Sequence, residues 1–292
     1  TSLFIMRFVG APFVFSFQQV GTNCGLIGKN AAVEVDGSAY WMSENGFFRY
    51  TGKLDSLACL VEDYVYDDMN TVPKQHIYAG LNNLFGEVTW FYPGSGAASN
   101  NRSVTYNYMD STPERPVWTT STLARSAWSD SHIFGKPHAT EYDSSATSDT
   151  TVGNTDGVTV YYEHETGQDQ IKAGARTGIS ASIESGDFDI SATQGGGADL
   201  RGDGEHMMKI RRVLPDFLQQ TGDARVTLNL KNYPTDSQAS SSLGPFTTTT
   251  STTKIDTRAR ARAISLKVDN TSTKQHWKLG TFRLDIQADG RR

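Results

Sequence analysis

The amino-acid sequence predicts an all-β protein with a β-propeller-like N-terminal region, residues 1–200, and a C-terminal β-sandwich-like domain, residues 201–292. The composition, with 14 Phe, 12 Tyr, 5 Trp, 27 Gly and many Ser, Thr and Asn, favours strands and turns over helices. Apolar residues also occur in short segments separated by turn residues, as in strands. The Gly/Asp-rich stretch SATQGGGADLRGDGEH near residue 200 places the domain boundary.

The clearest strands lie in NAAVEVDGSAYWMSENGFFRYTG. Val33 and Val35 alternate with polar neighbours, and the dipeptides Asp36-Gly37 and Asn45-Gly46 separate three apolar runs. Asp-Gly and Asn-Gly between apolar runs are strong indicators of hairpins. We therefore expect a three-stranded meander here, the kind of unit from which a propeller blade is built.

Further strands are expected along the rest of residues 1–200. They are EVTWFYP with SVTYNYM across the turn GSGAASNN, the Trp-rich PVWTTSTLARSAW, and KPHATEYD and VTVYYEHE on either side of the loop at 143–157. Their spacing is irregular and contains no repeat such as a WD signature. The sequence therefore predicts blade-like pieces without predicting a number of blades.

One helix is predicted, in DSLACLVEDYVYDDMN, with Asp55 as its N-cap. Its spacing places five apolar residues on one helical face. They are Leu57, Leu60, Val61, Tyr64 and Val65.

Beyond residue 200 the predicted strands are longer. They are HMMKIRRVLPDF, ARVTLNLKNYP, TTKIDTRARARAISLKVD and TFRLDIQ, and the hydroxyl-rich SQASSSLGPFTTTTSTT is expected to be a loop that leads into a strand. We expect Trp277, Leu284 and Ile286 in the core. Leu284 and Ile286 alternate with Asp285 and Gln287, as in a half-buried strand. A β-sandwich-like module fits this region.

The charges divide unevenly along the chain, which has a net charge of −5. Residues 201–292 hold 16 Lys and Arg against 9 Asp and Glu, whereas residues 1–200 hold 11 against 23. The chain is therefore not a generic nucleic-acid binder but has an acidic body and a basic C-terminal third. No run of about 18 apolar residues is present, so we expect no membrane span. The apolar opening is interrupted by Arg7, Gly10 and Pro12 and lacks the features of a signal peptide.

Residues with catalytic or metal-binding potential form no persuasive pattern. Cys24 and Cys59 are expected to be unpaired thiols, and no histidine spacing with them predicts a metal site. The chain has no GxSxG elbow and no Walker-type loop. We therefore expect no enzymatic activity, no metal and no cofactor.

Two acidic pairs and one His-Glu pair are the best enzymatic candidates. Asp67-Asp68 follow an aromatic run, and Asp187 and Asp189 flank Phe188, so each pair resembles the carboxylates of a glycosidase. Residues two apart in a strand share a face for geometric reasons alone, however, so we expect ordinary strand-end and turn carboxylates. His164 beside Glu165 is expected to be a solvated loop.

The most specific pattern is the row Arg258, Arg260 and Arg262. In a strand these arginines share one face, with Ala259 and Ala261 on the other. The strand is expected to continue through Ile264, Leu266 and Val268 on the arginine side. We expect a subunit interface that pairs with acidic residues of a neighbouring copy. Contact with DNA phosphates and a solvated edge strand are the alternatives.

Three segments carry a resemblance to the nozzle (tail-hub) proteins of short-tailed bacteriophages. They are VFSFQQVGTNCGLIGKNAAVEVDGSAYWMSENGFFRY, the string from ASIESGDFDI into MMKIRRVLPDF, and the ending RARAISLKVDN…HWKLGTFRLDIQADGRR. The ending is the most specific, and its characteristic residues are Trp277, Gly280, Arg283, Leu284, Asp285, Gly290 and Arg291-Arg292. Together the segments bracket nearly all of the chain.

The resemblance implies a β-propeller joined to further β domains, with six copies in a ring around the channel through which the genome leaves. It implies a place in the virion tail after synthesis in the host cytoplasm. The implied partners are the portal or adaptor, tail fibre or needle proteins and, transiently, double-stranded DNA. Proteins of this family are usually longer, so we expect further propeller strands before residue 1.

Two other functions remain open at this stage. One is a propeller that recognises surface glycans through exposed Tyr and Trp. The other, ranked third, is a propeller glycosidase that uses Asp187 or Asp67.

Overall fold

The computed structural model describes residues 2–130, 133–143, 157–172, 174–190, 206–233 and 241–290. Strands account for 58% of the structure, and the described residues contain one α-helix and a short 3₁₀ turn. The predicted all-β class is therefore confirmed. Among the described residues, no helix is both long and apolar enough to cross a bilayer.

The chain forms two compact units, Thr1–Thr166 and Gly167–Arg292. The expected boundary near residue 200 falls in 191–205, outside the described residues. Residues 181–184 pair as a strand with residues 267–270, so they belong to the second unit. The first unit is consequently shorter than the region 1–200 inferred from the sequence.

The described strands of the first unit pair in antiparallel fashion. They are β1 (Ser2–Gly10), β2 (Val14–Thr22), β3 (Ala32–Val35), β4 (Ser38–Ser43), β5 (Gly46–Tyr50), β6 (Leu54–Leu57), β7 (Tyr78–Asn82), β8 (Glu87–Tyr92), β9 (Arg102–Asn107), β10 (Trp118–Ser121), β11 (Ala127–Ser129), β12 (His138–Asp143) and β13 (Val158–Glu163). The helix α1 (Glu62–Asp68) and a 3₁₀ turn (Lys74–His76) lie between β6 and β7. The sheets are β1-β2, β3-β4-β5-β6, β10-β9-β8-β7 and β11-β12-β13.

The predicted meander is confirmed as β3, β4 and β5. Asp36 and Gly37 both have positive φ, 48° and 77°, as the two central residues of a type I′ hairpin turn require. The second turn lies one residue earlier than predicted. Ser43 pairs with Gly46, so Glu44 and Asn45 make the turn.

The predicted helix over residues 55–70 is wrong in its first half. Leu54–Leu57 form β6, a fourth strand paired with β5, and Asp55 accepts an ion pair from Arg49 at 3.3 Å instead of capping a helix. The helix begins at Glu62 after Val61, without a side-chain cap. Val65 is buried in the core, but Leu60 and Tyr64 are exposed. Pairing with β5 therefore overrides the helical periodicity of this segment.

Large aromatic side chains fill the core of the first unit. Phe47 of β5, Trp90 of β8 and Trp118 of β10 meet with ring centroids 4.8 to 6.1 Å apart. The Trp90 indole donates to the carbonyl of Ala31 at 3.0 Å, so its polar atom is satisfied although the side chain is buried. The sheets β3–β6 and β7–β10 thus share one hydrophobic core.

The described strands of the second unit form three sheets and a separate hairpin. They are β14 (Asp169–Lys172), β15 (Ala175–Gly178), β16 (Ala181–Glu184), β17 (Met208–Leu214), β18 (Phe217–Thr221), β19 (Ala224–Lys231), β20 (Ser241–Thr248), β21 (Ile255–Ala261), β22 (Ala263–Asn270), β23 (His276–Leu279) and β24 (Arg283–Ala288). The sheet orders are β14-β15, β16-β22-β19-β20, β21-β17-β24 and β18-β23.

Two of these sheets contribute to one aliphatic core. Ile210 of β17, Leu228 of β19 and Ile264 of β22 are fully buried in it. Trp277, Leu284 and Ile286 pack against this core while remaining half-buried. The predicted alternation along Arg283–Ala288 is therefore confirmed.

Candidate functional site

The arginine row lies on β21, whose residues alternate strictly between buried and exposed. Ala259 and Ala261 are buried in the core, whereas Arg258 and Arg260 are exposed on the opposite face. The small alanine side chains fit against the core on the inner face of the strand. Because side chains alternate between the two faces, the arginines point outward.

The third arginine departs from the prediction. Arg262 lies between β21 and β22, half-buried, and its backbone N–H donates to the carbonyl of Lys231 at 3.1 Å. At this residue the chain leaves the β21-β17-β24 sheet and enters the β16-β22-β19-β20 sheet. The alternation shifts by one residue there, so Ile264 and Val268 are buried and do not follow the arginine side. The expectation of one continuous strand was therefore wrong.

A bulge in the neighbouring strand β17 adds two arginines to the same outer face. The register with both β21 and β24 shifts between Ile210 and Arg212. The next buried residue after Ile210 is Val213, three positions later and not two. The two consecutive arginines between them, Arg211 and Arg212, therefore both lie outside the core.

We call the outward side of the β21-β17-β24 sheet the basic face. Its charged members are Lys209, Arg211, Arg212, Arg258, Arg260, Arg283, Asp256 and Asp285. Six cations against two carboxylates make this surface strongly basic in a chain whose net charge is negative.

Ion pairs within the unit hold part of the basic face in place. Arg212 Nε and Lys254 Nζ contact the Asp256 carboxylate at 2.9 and 3.0 Å, and Arg260 Nε contacts Asp289 at 2.5 Å. The hydrogen bonds from Lys254 and Arg212 lower the pKa of Asp256 below its usual value. These exposed pairs orient side chains more than they stabilise the fold.

The other cations of the basic face have side chains without a partner in the described part of the chain. The side chains of Lys209, Arg211, Arg258 and Arg283 make no hydrogen bond or ion pair with any residue that the structure describes. Arg258 is the central member of this group, because it lies in the middle of β21 where the register with β17 shifts. A guanidinium left free in this way can bind a carboxylate or phosphate through two parallel hydrogen bonds.

Acidic groups are concentrated in the other unit. Thr1–Thr166 holds 9 Lys and Arg against 18 Asp and Glu, while Gly167–Arg292 holds 18 against 14. The helix α1 alone carries Glu62, Asp63, Asp67 and Asp68. Asp68 is bound to Arg102 at 3.0 Å, but Asp63 and Asp67 are exposed and have no partner among the described residues.

Two of the carboxylates singled out from the sequence are held in ion pairs. Asp68 is engaged with Arg102, and Asp187 accepts an ion pair from Lys231 at 2.7 Å. Asp187 and Asp189 flank Phe188, whose backbone bridges to Ile264. Asp67 and Asp68 lie in α1, as the predicted helix has them, and not at a strand end or turn.

His164 is half-buried and engaged, and not part of a solvated loop. It accepts a hydrogen bond at Nε2 from Arg125 Nε at 2.9 Å, and its ring packs 4.5 Å from that of Trp128. Burial, together with the charges of Arg125 and His138, lowers the pKa of His164 to about 4. No local sequence pattern indicated this cluster, because its members come from separate strands.

Both cysteines are free, as predicted. Burial raises the pKa of the Cys59 thiol to about 11, so it stays protonated and unreactive at neutral pH. Within the described residues, no group of three or more His, Cys, Asp and Glu side chains is arranged to hold a metal ion.

No protein-family model matches this chain, and no curated protein matches it either. Function is therefore inferred from the sequence and from the geometry of the described residues.

Proposed function

We propose that this chain is a homo-oligomeric structural protein of a bacteriophage tail, a nozzle-type subunit that encloses the exit channel for the genome. The segments that resemble nozzle proteins fall largely on strands, including β2–β5, β17, β22 and β24. The meanders β3–β6 and β7–β10 have the four-stranded form of propeller blades, which supports a propeller-like layout. The two sheets that share the aliphatic core support a sandwich-like layout for the second unit.

The single observation that carries this proposal is the basic face with its free cations. Charged side chains on an edge strand also resist aggregation, so it is the presence of a complementary acidic surface that favours an interface. Here four cations have no side-chain partner among the described residues, and the acidic residues of α1 offer a complementary surface. We infer that the basic face of one copy contacts α1 of the next, with Arg258 and Arg211 opposite Asp63 and Asp67.

Nucleic acid is the second candidate partner for the basic face. Arg258 and Arg260 lie two residues apart on one strand, about 7 Å, so they present a row of charge to a polyanion. Arg260 is already engaged with Asp289, which leaves fewer free charges than a strong phosphate site would offer. We assign DNA a transient contact in the channel.

Glycan recognition is not favoured by the tryptophans, although four tyrosines, Tyr64, Tyr142, Tyr161 and Tyr233, are exposed. All five tryptophans lie in described parts of the chain, and none is exposed. A glycan site built on Trp platforms would present at least one indole to solvent. The proposal includes no catalytic role and no cofactor. The partners in the tail are the portal or adaptor and the fibre or needle proteins.

A charge-swap experiment tests the interface. Arg211→Glu/Arg258→Glu should weaken assembly of the purified protein at least tenfold, measured as oligomer mass by light scattering at low and high salt. Asp63→Lys/Asp67→Lys should weaken it similarly, and combining the four changes should restore it. Arg212→Glu is not a suitable control because it breaks the Asp256 pair, so Lys278→Glu, on an exposed position of β23, is used.

The other outcomes are equally informative. In one of them, Arg211→Glu/Arg258→Glu leaves the oligomer intact but weakens binding to a DNA duplex and makes the binding constant less dependent on salt concentration. In that case the basic face is a DNA contact and not a subunit interface. If neither property changes, the basic face has no binding role, and electron cryo-microscopy of tails carrying this protein becomes the deciding test.

A further inference from the structure

The N-terminal hairpin β1-β2 exposes a continuous apolar face. The register pairs Phe4 with Gln19, Met6 with Phe17 and Phe8 with Phe15, and residues paired directly share a face. We call this set the hairpin face: Phe4, Met6, Phe8, Phe15, Phe17 and Gln19. Its five large apolar side chains are between 45% and 74% exposed.

The opposite side of the same hairpin is different in character. Arg7 pairs with Ser16 and Ile5 with Gln18, and Leu3 is half-buried as Ile5 is, so this side mixes polar groups with partly buried aliphatic residues. The alternation between the two sides is the pattern of a strand pair with one face meant for burial. Among the described residues of the first unit, nothing covers the apolar side.

A two-stranded hairpin with this composition is unfavourable in isolation. Two strands alone are at best marginally stable in water, and a third strand or a packing surface is needed. With about 200 Å² of surface on each side chain of this size, the hairpin face leaves roughly 600 Å² of apolar surface in contact with water. This area lies at the upper end of the range found for the largest exposed apolar patch of a typical monomer.

We propose that the hairpin face is a contact between copies of this chain. A standard interface takes about 800 Å² from each partner. The hairpin face supplies most of that area, and Phe13 and Val14 at the exposed tip extend it. Its members carry no charge, so a second copy meets no like-charge repulsion there. Such an apolar surface is typical of permanent homo-oligomers and unlike the mixed surface of a transient contact.

This contact is distinct from the basic face. It rests on the homo-oligomeric part of the proposed function and not on the identification with a phage nozzle. The two contacts differ in physical nature, because one is apolar and salt-insensitive whereas the other is charged and screened by salt. Their failures can therefore be separated in one set of measurements.

The experiment compares adjacent positions on opposite sides of β2. Phe17→Glu places a charge in the hairpin face, and Gln18→Glu places the same charge on the other side of the same strand. Sedimentation velocity of the full chain between 1 and 50 μM should show wild type and Gln18→Glu as the same oligomer. Phe17→Glu should raise the dissociation constant at least tenfold at both 0.1 and 0.5 M salt.

A folding control accompanies both variants. Phe17 is 68% exposed, so its replacement should leave the tryptophan fluorescence and the melting temperature of the first unit unchanged. If Phe17→Glu does melt early, Phe8→Ser, at the most exposed position of the hairpin face, takes its place in the same measurement.

Three outcomes would overturn the proposal. The first is a wild type that is monomeric at 50 μM. The second is that Phe17→Glu and Phe8→Ser assemble as the wild type does. The third is a wild type that binds neutral phosphatidylcholine vesicles through Phe17 without self-associating. If Phe17→Glu assembles normally while Arg211→Glu/Arg258→Glu does not, the proposed function stands and only the hairpin contact fails.

Discussion

Arg125 in the first unit and Arg258 in the second show two opposite uses of the same side chain. The Arg125 side chain is only 4% exposed and engages His164 Nε2 at 2.9 Å, the Ala124 carbonyl at 2.5 Å and Glu141 at 3.4 Å. Its guanidinium also lies 4.0 Å over the ring of Tyr162. Arg258 is exposed and has no partner among the described residues.

The difference in burial and in bonding partners indicates what each arginine does. A buried guanidinium is tolerated only when its donors are satisfied, so Arg125 and its partners form a structural network within one unit. An exposed guanidinium without a partner adds little to stability and keeps its donors available for another molecule. Stability and association measurements should therefore separate the two sites cleanly.

The largest effect is expected for Arg125→Met, which keeps much of the volume but removes the charge. The mostly buried Glu141 carboxylate would lose this cation while its hydrogen bond from Tyr162, 2.8 Å long, remains. Breaking a buried pair from one side costs about 3–5 kcal/mol. Urea unfolding of the first unit, followed by tryptophan fluorescence, measures the change.

Two variants control this comparison. Arg115→Met changes an exposed arginine and should stay within about 0.5 kcal/mol of wild type. Arg125→Met/Glu141→Gln should recover part of the lost stability, because the buried negative charge that has lost its cation is removed. A loss below about 1 kcal/mol for Arg125→Met would contradict the structural role assigned to this network.

A smaller effect is expected on the buried side of the arginine strand itself. Ala261 is fully buried against the aliphatic core, so Ala261→Leu has no room and should cost about 1–3 kcal/mol. Arg260→Leu, one residue earlier, places the same side chain on the exposed face and should cost far less. Equal losses at the two positions, in urea unfolding followed by circular dichroism, would contradict the alternation of β21.

A change in pH tests the Arg125 network without altering its arginine. Because the pKa of His164 is lowered to about 4, the folded chain keeps this ring neutral down to that pH, whereas the unfolded chain binds the proton near 6.5. The unfolded state therefore binds more protons between these values, and stability should fall as the pH falls from about 6.5 to about 4. His164→Gln should show a smaller fall between pH 7 and pH 5. Identical pH dependence in the two proteins would contradict the burial of a neutral His164.

The sequence was sufficient for features that depend on neighbouring residues. Alternation along β21 exposed the arginines and buried the alanines, and the Asp36-Gly37 turn followed from residue types alone. Prediction from the sequence failed where the structure of a segment depends on residues that are distant along the chain. Residues 54–57 have helical spacing but pair with β5, and the break at Arg262 depends on a change of sheet.

The candidate sites likewise divide into features that the sequence shows and features that depend on distant residues. The arginine row was visible as a period of two, but the bulge that adds Arg211 and Arg212 to the basic face has no distinguishing residue type. The Arg125 network joins residues 125, 141, 162 and 164 from different strands, and no local pattern brings them together. The apolar side of β1-β2 is readable from the sequence, yet its exposure is not.

The smallest effect is expected for Arg258→Ser, and it is the most discriminating. Because the Arg258 side chain is exposed and contacts no described residue through a hydrogen bond or ion pair, its removal should change the free energy of unfolding by no more than about 0.5 kcal/mol. Arg260→Ser loses the contacts to Asp289 Oδ2 and to the Asp289 carbonyl, but this exposed pair is worth only about 0.2–1 kcal/mol. Unfolding of both variants in urea at 0.1 M salt provides the measurement. A loss above about 1 kcal/mol for Arg258→Ser would mean that this residue supports the fold, and its proposed role at a subunit interface would lose its main physical argument.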